Sequence, residues 1–257
     1  MLRKLIIVNK RGLKLSAILS LPKGKHQYPV IILLQGFLGK KDGKKITSLS
    51  THLTNLGFAT IRFDYAGYGE SEGEPDQEYL ISNILTDISY VLKTVKTHKR
   101  LNNTKIGVWG QSMGGMLAII SASLEPDITA VCAVSAPAQI TKGDDLEKLL
   151  PEWKEKGFIE RKNSNGDLIK ISYDFVQDAR RWNAEKSVKK LSASLLIVLG
   201  KKDETVPPKI TKNIYKAANR GKKLVEINNM PHEYGDNVLF ITKINQLSGN
   251  FFTKTLK

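Results

Sequence analysis

The sequence predicts a fold of the α/β class, in which helices flank a mostly parallel central sheet. Three observations lead to this prediction. Short, wholly apolar runs recur along the chain, and such runs are typical of parallel strands that are buried on both faces. Segments with apolar residues at spacings of three and four lie between these runs, as expected for helices that pack on a sheet. The 257 residues, 41% of them hydrophobic, are enough to bury a sizeable core.

The first elements predict a hairpin, because residues 4–8 and 13–19 are strand-like segments joined by a turn at 10–12. Six apolar runs follow, which we interpret as buried strands: 30–34, 58–63, 106–109, 128–134, 195–199 and 224–227. An antiparallel start followed by parallel strands predicts a mixed sheet with right-handed crossovers.

Two long helices are predicted from apolar stripes. The first stripe consists of Ile81, Ile84, Leu85, Ile88, Val91, Leu92 and Val95, and the second, near the C-terminus, of Phe240, Ile244, Leu247 and Phe251. Residues three and four apart lie on one face of a helix, so each stripe is expected to pack against the sheet.

Residues 138–186 interrupt the alternation of strands and helices. They contain no buried-strand run, but they carry charges and five aromatic residues, namely Trp153, Phe158, Tyr173, Phe175 and Trp182. A long interruption in a compact domain usually has structure of its own or covers a site. We therefore interpret residues 1–257 as a single domain with an inserted cap at 138–186. The cap is expected to set substrate specificity, with its aromatic residues walling a pocket.

Charge and composition exclude several classes of function. The net charge of +15 comes mainly from lysine, since 8 of the 40 basic residues are arginine, and nucleic-acid sites rely on arginine. We expect a solvated basic surface and no nucleic-acid partner. The single cysteine, Cys132, excludes an intramolecular disulfide. No apolar run approaches the roughly 20 residues of a membrane span, and residues 5–8 are too short a core for a secretory signal. A cytoplasmic protein is expected, and a homodimer is left open.

Residues 110–114, GQSMG, form a G-x-S-x-G pattern between a predicted strand and a predicted helix. This strand–turn–helix setting is the one that a nucleophile elbow requires. The turn strains the serine backbone, so the positions two residues to either side, 110 and 114, must lack a Cβ and are glycine. The hydroxyl of Ser112 then projects from the carboxyl edge of the sheet at a helix N-terminus, whose dipole favours developing negative charge. The alternative is a glycine-rich turn with an incidental serine.

A serine nucleophile needs a base and a carboxylate that orients the base. Among the histidines, His232 follows the last predicted strand and so lies at the edge from which Ser112 emerges; those at 26, 52 and 98 are expected on the surface. The carboxylate candidate is Asp203, which follows the strand at 195–199 within GKKDETVP. Glu204 is the adjacent competitor, but the G-x-x-D-x-x-V-P pattern favours Asp203.

An acyl-transfer enzyme also needs donors for the oxyanion. The backbone N–H of Met113, directly after the nucleophile, is the first expected donor. The loop after the strand at 30–34 reads QGFLG, and the N–H of Phe37 in this loop is the second expected donor. Gly36 permits a close backbone approach, although a plain turn is the alternative interpretation.

Five motifs in order, QGFLG, FDYAGYGESEG, GQSMGG, GKKDETVP and MPH, resemble α/β-hydrolases of the esterase, lipase and serine aminopeptidase kind. The chain order Ser, Asp, His is also that of α/β-hydrolases. The resemblance covers essentially the whole chain. It implies the α/β-hydrolase fold, with a mostly parallel central sheet flanked by helices and an inserted cap, and a reaction without a metal or organic cofactor.

Within this superfamily the sequence is most similar to bacterial cinnamoyl (feruloyl) esterases, through Ala136-Pro137 followed by Lys142-Gly143-Asp144. In that family a similarly placed aspartate contacts the phenolic hydroxyl of the bound hydroxycinnamate. The resemblance therefore implies that Asp144 binds substrate. The alternative is that Asp144 merely begins a helix, since acidic residues are favoured at helix N-termini.

One position departs from the family pattern. The family usually has His before the glycine of the oxyanion loop, whereas this chain has Gln35. That side chain holds the loop and does not supply the oxyanion N–H, so the departure bears on loop rigidity and rate. The loop at 64–71 is expected to have a structural role in supporting the nucleophile elbow.

The sequence thus predicts hydrolysis of carboxylic esters with a small or aromatic acyl group, such as hydroxycinnamoyl. A serine at the elbow argues against dehalogenases and epoxide hydrolases, which are built around Asp. A monoacylglycerol lipase, a thioesterase and a serine aminopeptidase are alternatives with the same fold. A non-catalytic ligand-binding member of the fold is an alternative of a different class.

Overall fold

The computed structural model describes residues 1–24, 27–142, 145–163 and 166–257. These residues form ten strands, β1 (Leu2–Val8), β2 (Lys14–Ser20), β3 (Tyr28–Leu34), β4 (Ala59–Phe63), β5 (Leu101–Gln111), β6 (Ile128–Val134), β7 (Phe158–Lys162), β8 (Leu168–Ser172), β9 (Ser194–Gly200) and β10 (Lys222–Ile227). Eight of the strands form a central sheet in the order β1-β2-β4-β3-β5-β6-β9-β10, and β7 pairs with β8 in a separate sheet.

The central sheet is mixed, as predicted. The strands β1 and β2 form an antiparallel hairpin, and β2 pairs antiparallel with β4. From β4 to β10 every neighbouring pair is parallel. Parallel strands end at one edge of a sheet, so the loops that follow β3, β5, β9 and β10 are brought together there.

The described residues also form nine α-helices: α1 (Lys44–Asn55), α2 (Pro75–Glu78), α3 (Ile81–Thr97), α4 (Met113–Leu124), α5 (Leu150–Lys156), α6 (Asp174–Ala179), α7 (Ala184–Ser187), α8 (Pro208–Ala217) and α9 (Val238–Leu256). The apolar stripe predicted at 81–95 is buried on α3, and most of the C-terminal stripe packs inward on α9.

Both faces of the central sheet are covered around its inner strands, which explains why these strands form continuous apolar runs. The run at 224–227 differs from the prediction of a buried strand, because it lies on the edge strand β10, where Ile227 is the one buried residue of the four. On β3, Ile32 and Leu34 belong to the core that contains the buried faces of α3 and α4. The alternate residues Ile31 and Leu33 belong to the second core, on the side of α1 and α9. Strands of this kind carry no polar face, so their positions could be predicted from hydrophobicity alone.

The segment between β6 and β9 contains a strand pair that the sequence did not predict. Helix α5 leads into the β7–β8 hairpin, and α6 follows it. The hairpin pairs Ile159 with Ile171, which are both buried, and Glu160 with Lys170, which are both exposed. Because one face of this hairpin is polar, no continuous apolar run marks its strands, and the sequence pattern did not reveal them.

Candidate active site

Ser112 lies in a tight turn between β5 and α4, where its backbone adopts φ 57° and ψ −127°. Left-handed φ values are costly for residues with a side chain, by about 1–3 kcal/mol. Gly110 and Gly114 must be glycine, because backbone atoms of neighbouring segments lie where a Cβ would be. A Cβ on Gly110 would lie 2.0 Å from the carbonyl oxygen of Gly114, and a Cβ on Gly114 would lie 2.3 Å from that of Leu34. The turn therefore has the geometry expected of a nucleophile elbow.

The three residues selected from the sequence as a triad are connected by hydrogen bonds. The Ser112 Oγ lies 3.0 Å from His232 Nε2. The other ring nitrogen, His232 Nδ1, lies 3.0 Å from each carboxylate oxygen of Asp203. His232 and Asp203 are buried, whereas the competitor Glu204 is exposed. The Val206 N–H donates to Asp203 Oδ1 at 2.8 Å and thereby fixes the carboxylate.

The loop that carries His232 is fastened to the elbow by Gln111, a contact that the sequence did not indicate. The Gln111 side-chain amide donates to the backbone carbonyl of His232 at 3.0 Å. The loop also approaches the end of β9, because a Cβ on Gly200 would lie 2.1 Å from the carbonyl oxygen of Met230. The motif GQSMG contains Gln111, but its variable positions give no indication of the partner.

The two expected oxyanion donors are available for a ligand. Within the described part of the chain, the N–H groups of Phe37 and Met113 donate to no other residue. The loop after β3 comes close to the nucleophile, since a Cβ on Gly36 would lie 3.4 Å from the Ser112 Cβ. Two backbone donors near the serine hydroxyl are the arrangement that stabilises a tetrahedral oxyanion.

Gln35, the departure from the family pattern, holds the oxyanion loop through its amide. Its Nε2 donates to the carbonyl of Phe63 at 2.9 Å. Its buried Oε1 has no hydrogen-bond partner among the described residues. The Tyr65 hydroxyl donates to the Gln35 backbone carbonyl at 3.0 Å. The base of the loop is thus tied to β4 and to the residues that follow it.

Two tyrosines fix the middle of the oxyanion loop at Leu38, which adopts a positive φ of 54°. The Leu38 N–H donates to the Tyr79 hydroxyl at 2.8 Å. The Tyr68 hydroxyl donates to the Leu38 carbonyl at 2.5 Å. Burial raises the pKa of Tyr79 well above its ordinary value, so its hydroxyl stays neutral. Neither tyrosine was singled out in the sequence for this role.

A buried ion pair anchors the end of the same loop. Lys41 Nζ lies 2.6 Å from Asp64 and 2.8 Å from Glu70. Burial alone lowers the pKa of Lys41, but the hydrogen bonds to these two carboxylates outweigh burial and raise it. The side chain of Asp64 fills the space beside Gly69, where a Cβ would lie 2.3 Å from its Cγ. The loop at 64–71 therefore makes these contacts with the oxyanion loop, whereas the sequence led us to expect that it supports the elbow.

A pocket of about 1020 Å³ opens above Ser112 and His232. It extends from the oxyanion loop, past Ile140 and Leu146, to the β7–β8 hairpin. None of the five aromatic residues expected to wall it is among its described lining residues. Trp153 and Phe175 are instead fully buried and stacked, with ring centroids 5.8 Å apart. Aromatic content alone did not show which way these side chains face, so this expectation was wrong.

Three residues that were considered in the sequence, His26, Gly143 and Asp144, lie outside the described part of the chain. The role of Asp144 toward substrate therefore stays a prediction. Within the described ranges, no helix combines the length and apolar character needed to cross a membrane. No group of three or more His, Cys, Asp or Glu side chains in those ranges is placed to hold a metal ion.

Comparison with known proteins points to one family. The model of the alpha/beta hydrolase fold family matches residues 29–172. An uncharacterized 31.7 kDa protein from the traX-finO intergenic region of Escherichia coli is 27% identical over 237 residues, which cover 79% of this chain and 82% of that protein. The human mitochondrial palmitoyl-protein thioesterase ABHD10 is 27% identical over 195 residues. That match covers 74% of this chain but 61% of the thioesterase.

A solved structure of Est1E from Butyrivibrio proteoclasticus with bound ferulic acid superimposes with a TM-score of 0.76. The match covers 97% of this chain and 100% of Est1E at 24% identity. At this identity the likeness is one of fold.

Proposed function

We propose that this chain, which belongs to the alpha/beta hydrolase fold family, is a serine hydrolase that cleaves carboxylic esters. The observation that carries the proposal is the hydrogen-bonded series from Ser112 through His232 to Asp203, at the base of a pocket. Esterase and thioesterase relatives support a hydrolase of this kind. No metal or organic cofactor is required by the proposed reaction.

The reaction follows from the geometry of these groups. Ser112 Oγ attacks the ester carbonyl while His232 Nε2 takes its proton, and the N–H groups of Phe37 and Met113 hold the oxyanion. His232 then gives the proton to the leaving alcohol, which leaves an acyl-enzyme on Ser112. Water, deprotonated by His232, cleaves the acyl-enzyme and releases the acid. Asp203 holds the imidazole in the productive tautomer and stabilises the imidazolium.

The finer proposal is a small or aromatic acyl group, such as hydroxycinnamoyl, with residues 138–186 as the cap that sets specificity. The ferulic acid bound to the structural relative Est1E supports the acyl part of this proposal. The β7–β8 hairpin at the pocket supports the role of the cap. A thioesterase is the second candidate, favoured by the similarity to the palmitoyl-protein thioesterase. Both activities would use the same nucleophile and the same acyl-enzyme.

The decisive experiment combines covalent labelling with a substrate panel. A fluorophosphonate probe is expected to label the wild-type protein and not Ser112→Ala, and Ser112→Ala is expected to lower ester turnover by roughly 10⁴- to 10⁶-fold. Ser123→Ala, on the same helix as the residues after the elbow, is the matched control and should retain labelling. Labelling that persists in Ser112→Ala would contradict the nucleophile assignment. Hydroxycinnamate, short-chain p-nitrophenyl and acyl-thioester substrates then separate the candidate activities.

A further inference from the structure

The outer wall of the pocket above Ser112 is rich in charged side chains. Its lining includes five cationic residues besides the histidine, namely Lys40, Lys44, Lys45, Arg161 and Lys162, and three acidic ones, Glu160, Glu233 and Asp236. These residues come from the oxyanion loop, the start of α1, the β7–β8 hairpin and the loop after His232. The charge is therefore assembled from four separate segments around one opening.

Two of the cations are paired with neighbouring acids. Lys45 Nζ lies 2.9 Å from a Glu233 carboxylate oxygen. Lys44 Nζ lies 3.7 Å from an Asp236 carboxylate oxygen. The remaining lining cations are Lys40, Arg161 and Lys162, which form no ion pair with a described residue; the remaining acid is Glu160. Among the described lining residues, three positive charges against one negative charge leave an excess of two positive charges.

The pairing of β7 with β8 directs one of these cations toward the pocket. Arg161 lies opposite Ile169, two positions along the strand from the pair Ile159–Ile171. Residues opposite each other, and residues two apart on a strand, share one face of a sheet. Ile159 and Ile171 are buried, and Arg161, which is exposed, lies on the same face of the hairpin and lines the pocket. An arginine there presents a planar fork of donors that matches a carboxylate or a phosphate.

We propose that the pocket accepts substrates that carry a phosphate or carboxylate group, held by Arg161 together with Lys40. The proposal rests on the ester hydrolysis proposed above, and it adds the charge of the substrate to it. The anionic group lies on the part of the substrate remote from the scissile carbonyl, because the bound carbonyl occupies the space beside Ser112 and the oxyanion donors. The group belongs either to the acyl part or to the leaving group.

Binding to the Ser112→Ala protein tests this proposal without turnover. Two matched pairs are measured by calorimetry, and each pair differs in one anionic group. For the leaving-group side, S-acetyl-4′-phosphopantetheine is compared with S-acetylpantetheine. For the acyl side, the p-nitrophenyl monoester of glutaric acid is compared with p-nitrophenyl pentanoate. In at least one pair we expect the anionic member to bind about 10-fold more tightly, as one charge-assisted hydrogen-bonded contact provides.

Arg161→Gln in the same background is expected to bring that ratio of dissociation constants close to one. Lys170→Gln is the matched control, since it removes a positive charge from the same hairpin at an exposed position that pairs with Glu160 and does not line the pocket. Lys170→Gln is expected to leave the ratio unchanged. Equal binding within both pairs would overturn the proposal. An equal loss with Arg161→Gln and Lys170→Gln would also overturn it, because it would indicate a general charge effect.

Turnover by the protein with Ser112 intact separates the two proposals. If the protein hydrolyses the neutral esters and shows no preference for the anionic member of either pair, the ester-hydrolase proposal is supported and the anion site is rejected. If the protein binds the anionic compounds in a way that depends on Arg161 but hydrolyses no ester or thioester, the anion site is supported and the hydrolase proposal is rejected. The preference is also expected to shrink as ionic strength rises, since exposed charges are screened by salt.

Discussion

At the scale of single residues, the strain at Ser112 is balanced by the hydrogen bonds of its own backbone. The Ser112 N–H donates to the Val134 carbonyl at 2.9 Å, which ties the elbow to β6. The Ser112 carbonyl accepts from the N–H groups of Gly115 and Met116 at 2.9 and 3.1 Å. The serine hydroxyl is therefore held in one place relative to His232, as a preorganised nucleophile requires.

Asp203 and Glu204 are adjacent in sequence, but only one is expected to matter for catalysis. Asp203→Asn keeps the shape of the side chain but favours the wrong imidazole tautomer, because an amide can donate to His232 Nδ1. We expect kcat to fall on the order of 10³- to 10⁴-fold. Steady-state kinetics on a p-nitrophenyl ester measures the loss.

Glu204→Gln provides the matched control, because it makes the same chemical change one residue away at an exposed position. We expect kcat to stay within about twofold of wild type, as is usual for surface substitutions remote from the reacting groups. A larger loss with Glu204→Gln than with Asp203→Asn would show that the carboxylate was assigned to the wrong residue.

At the scale of elements, the inserted segment is packed directly on the oxyanion loop. The Phe37 ring lies 5.3 Å from the ring of Phe175 on α6 and 5.9 Å from that of Tyr79. Trp153 on α5 stacks on Phe175. This aromatic cluster joins α5 and α6 of the inserted segment to the loop that carries Phe37, a proposed oxyanion donor.

Tyr79 is expected to act as a positioning residue for that loop. Tyr79→Phe keeps the packed ring but removes the oxygen that accepts from Leu38 N–H, next to Phe37. The left-handed conformation of Leu38 then loses a restraint, and the N–H of Phe37 is less well aimed at the oxyanion. We expect kcat to fall about 10- to 100-fold with little change in KM, which is less than the loss of a whole oxyanion donor.

Tyr90→Phe is the control for this prediction, since Tyr90 is a half-buried tyrosine of α3 that does not line the pocket. It should leave kcat unchanged. Fluorophosphonate labelling rates give a second measure, because phosphonylation also develops negative charge on an oxygen. A Tyr79→Phe protein with lower thermal stability but wild-type kcat would contradict the positioning role and leave a structural one.

Two contacts of the oxyanion loop, Lys41 with Asp64 and Leu38 with Tyr79, show why parts of the site could not be predicted from the sequence. Ser112, Asp203 and His232 follow the parallel strands β5, β9 and β10, so the common edge of a parallel sheet brings them together. The pairs Lys41–Asp64 and Leu38–Tyr79 join residues 23 and 41 positions apart. No periodic pattern in the sequence identifies such pairs, because each partner taken alone has only the features of a loop residue. The direction of the cap aromatics was unpredictable for the same reason.

At the scale of the whole molecule, the positive charge is spread over many separate segments. There are 40 Lys and Arg residues against 25 Asp and Glu, and 8 of the basic residues are Arg. Several of the arginines are bound to carboxylates of the protein itself: Arg11 to Glu78 and Asp87, Arg62 to Asp42 and Arg181 to Asp178. An arginine engaged in this way is not available to read phosphates or bases without breaking an ion pair.

We therefore expect this charge to give weak, salt-sensitive association with nucleic acid and no specific site. Fluorescence anisotropy with a 20-nucleotide single strand and with a duplex of the same length, at about 150 mM salt, should give dissociation constants no tighter than about 1 µM, the range of non-specific binding. Lowering the salt should tighten both to a similar degree, because the contacts are lysines with phosphates. Submicromolar binding of either at 150 mM salt would contradict the prediction. Inorganic phosphate at millimolar concentration distinguishes this diffuse binding from the proposed anion site. It should compete with anionic ligands for the pocket that contains Arg161. It should leave the binding of DNA to scattered lysines almost unaffected.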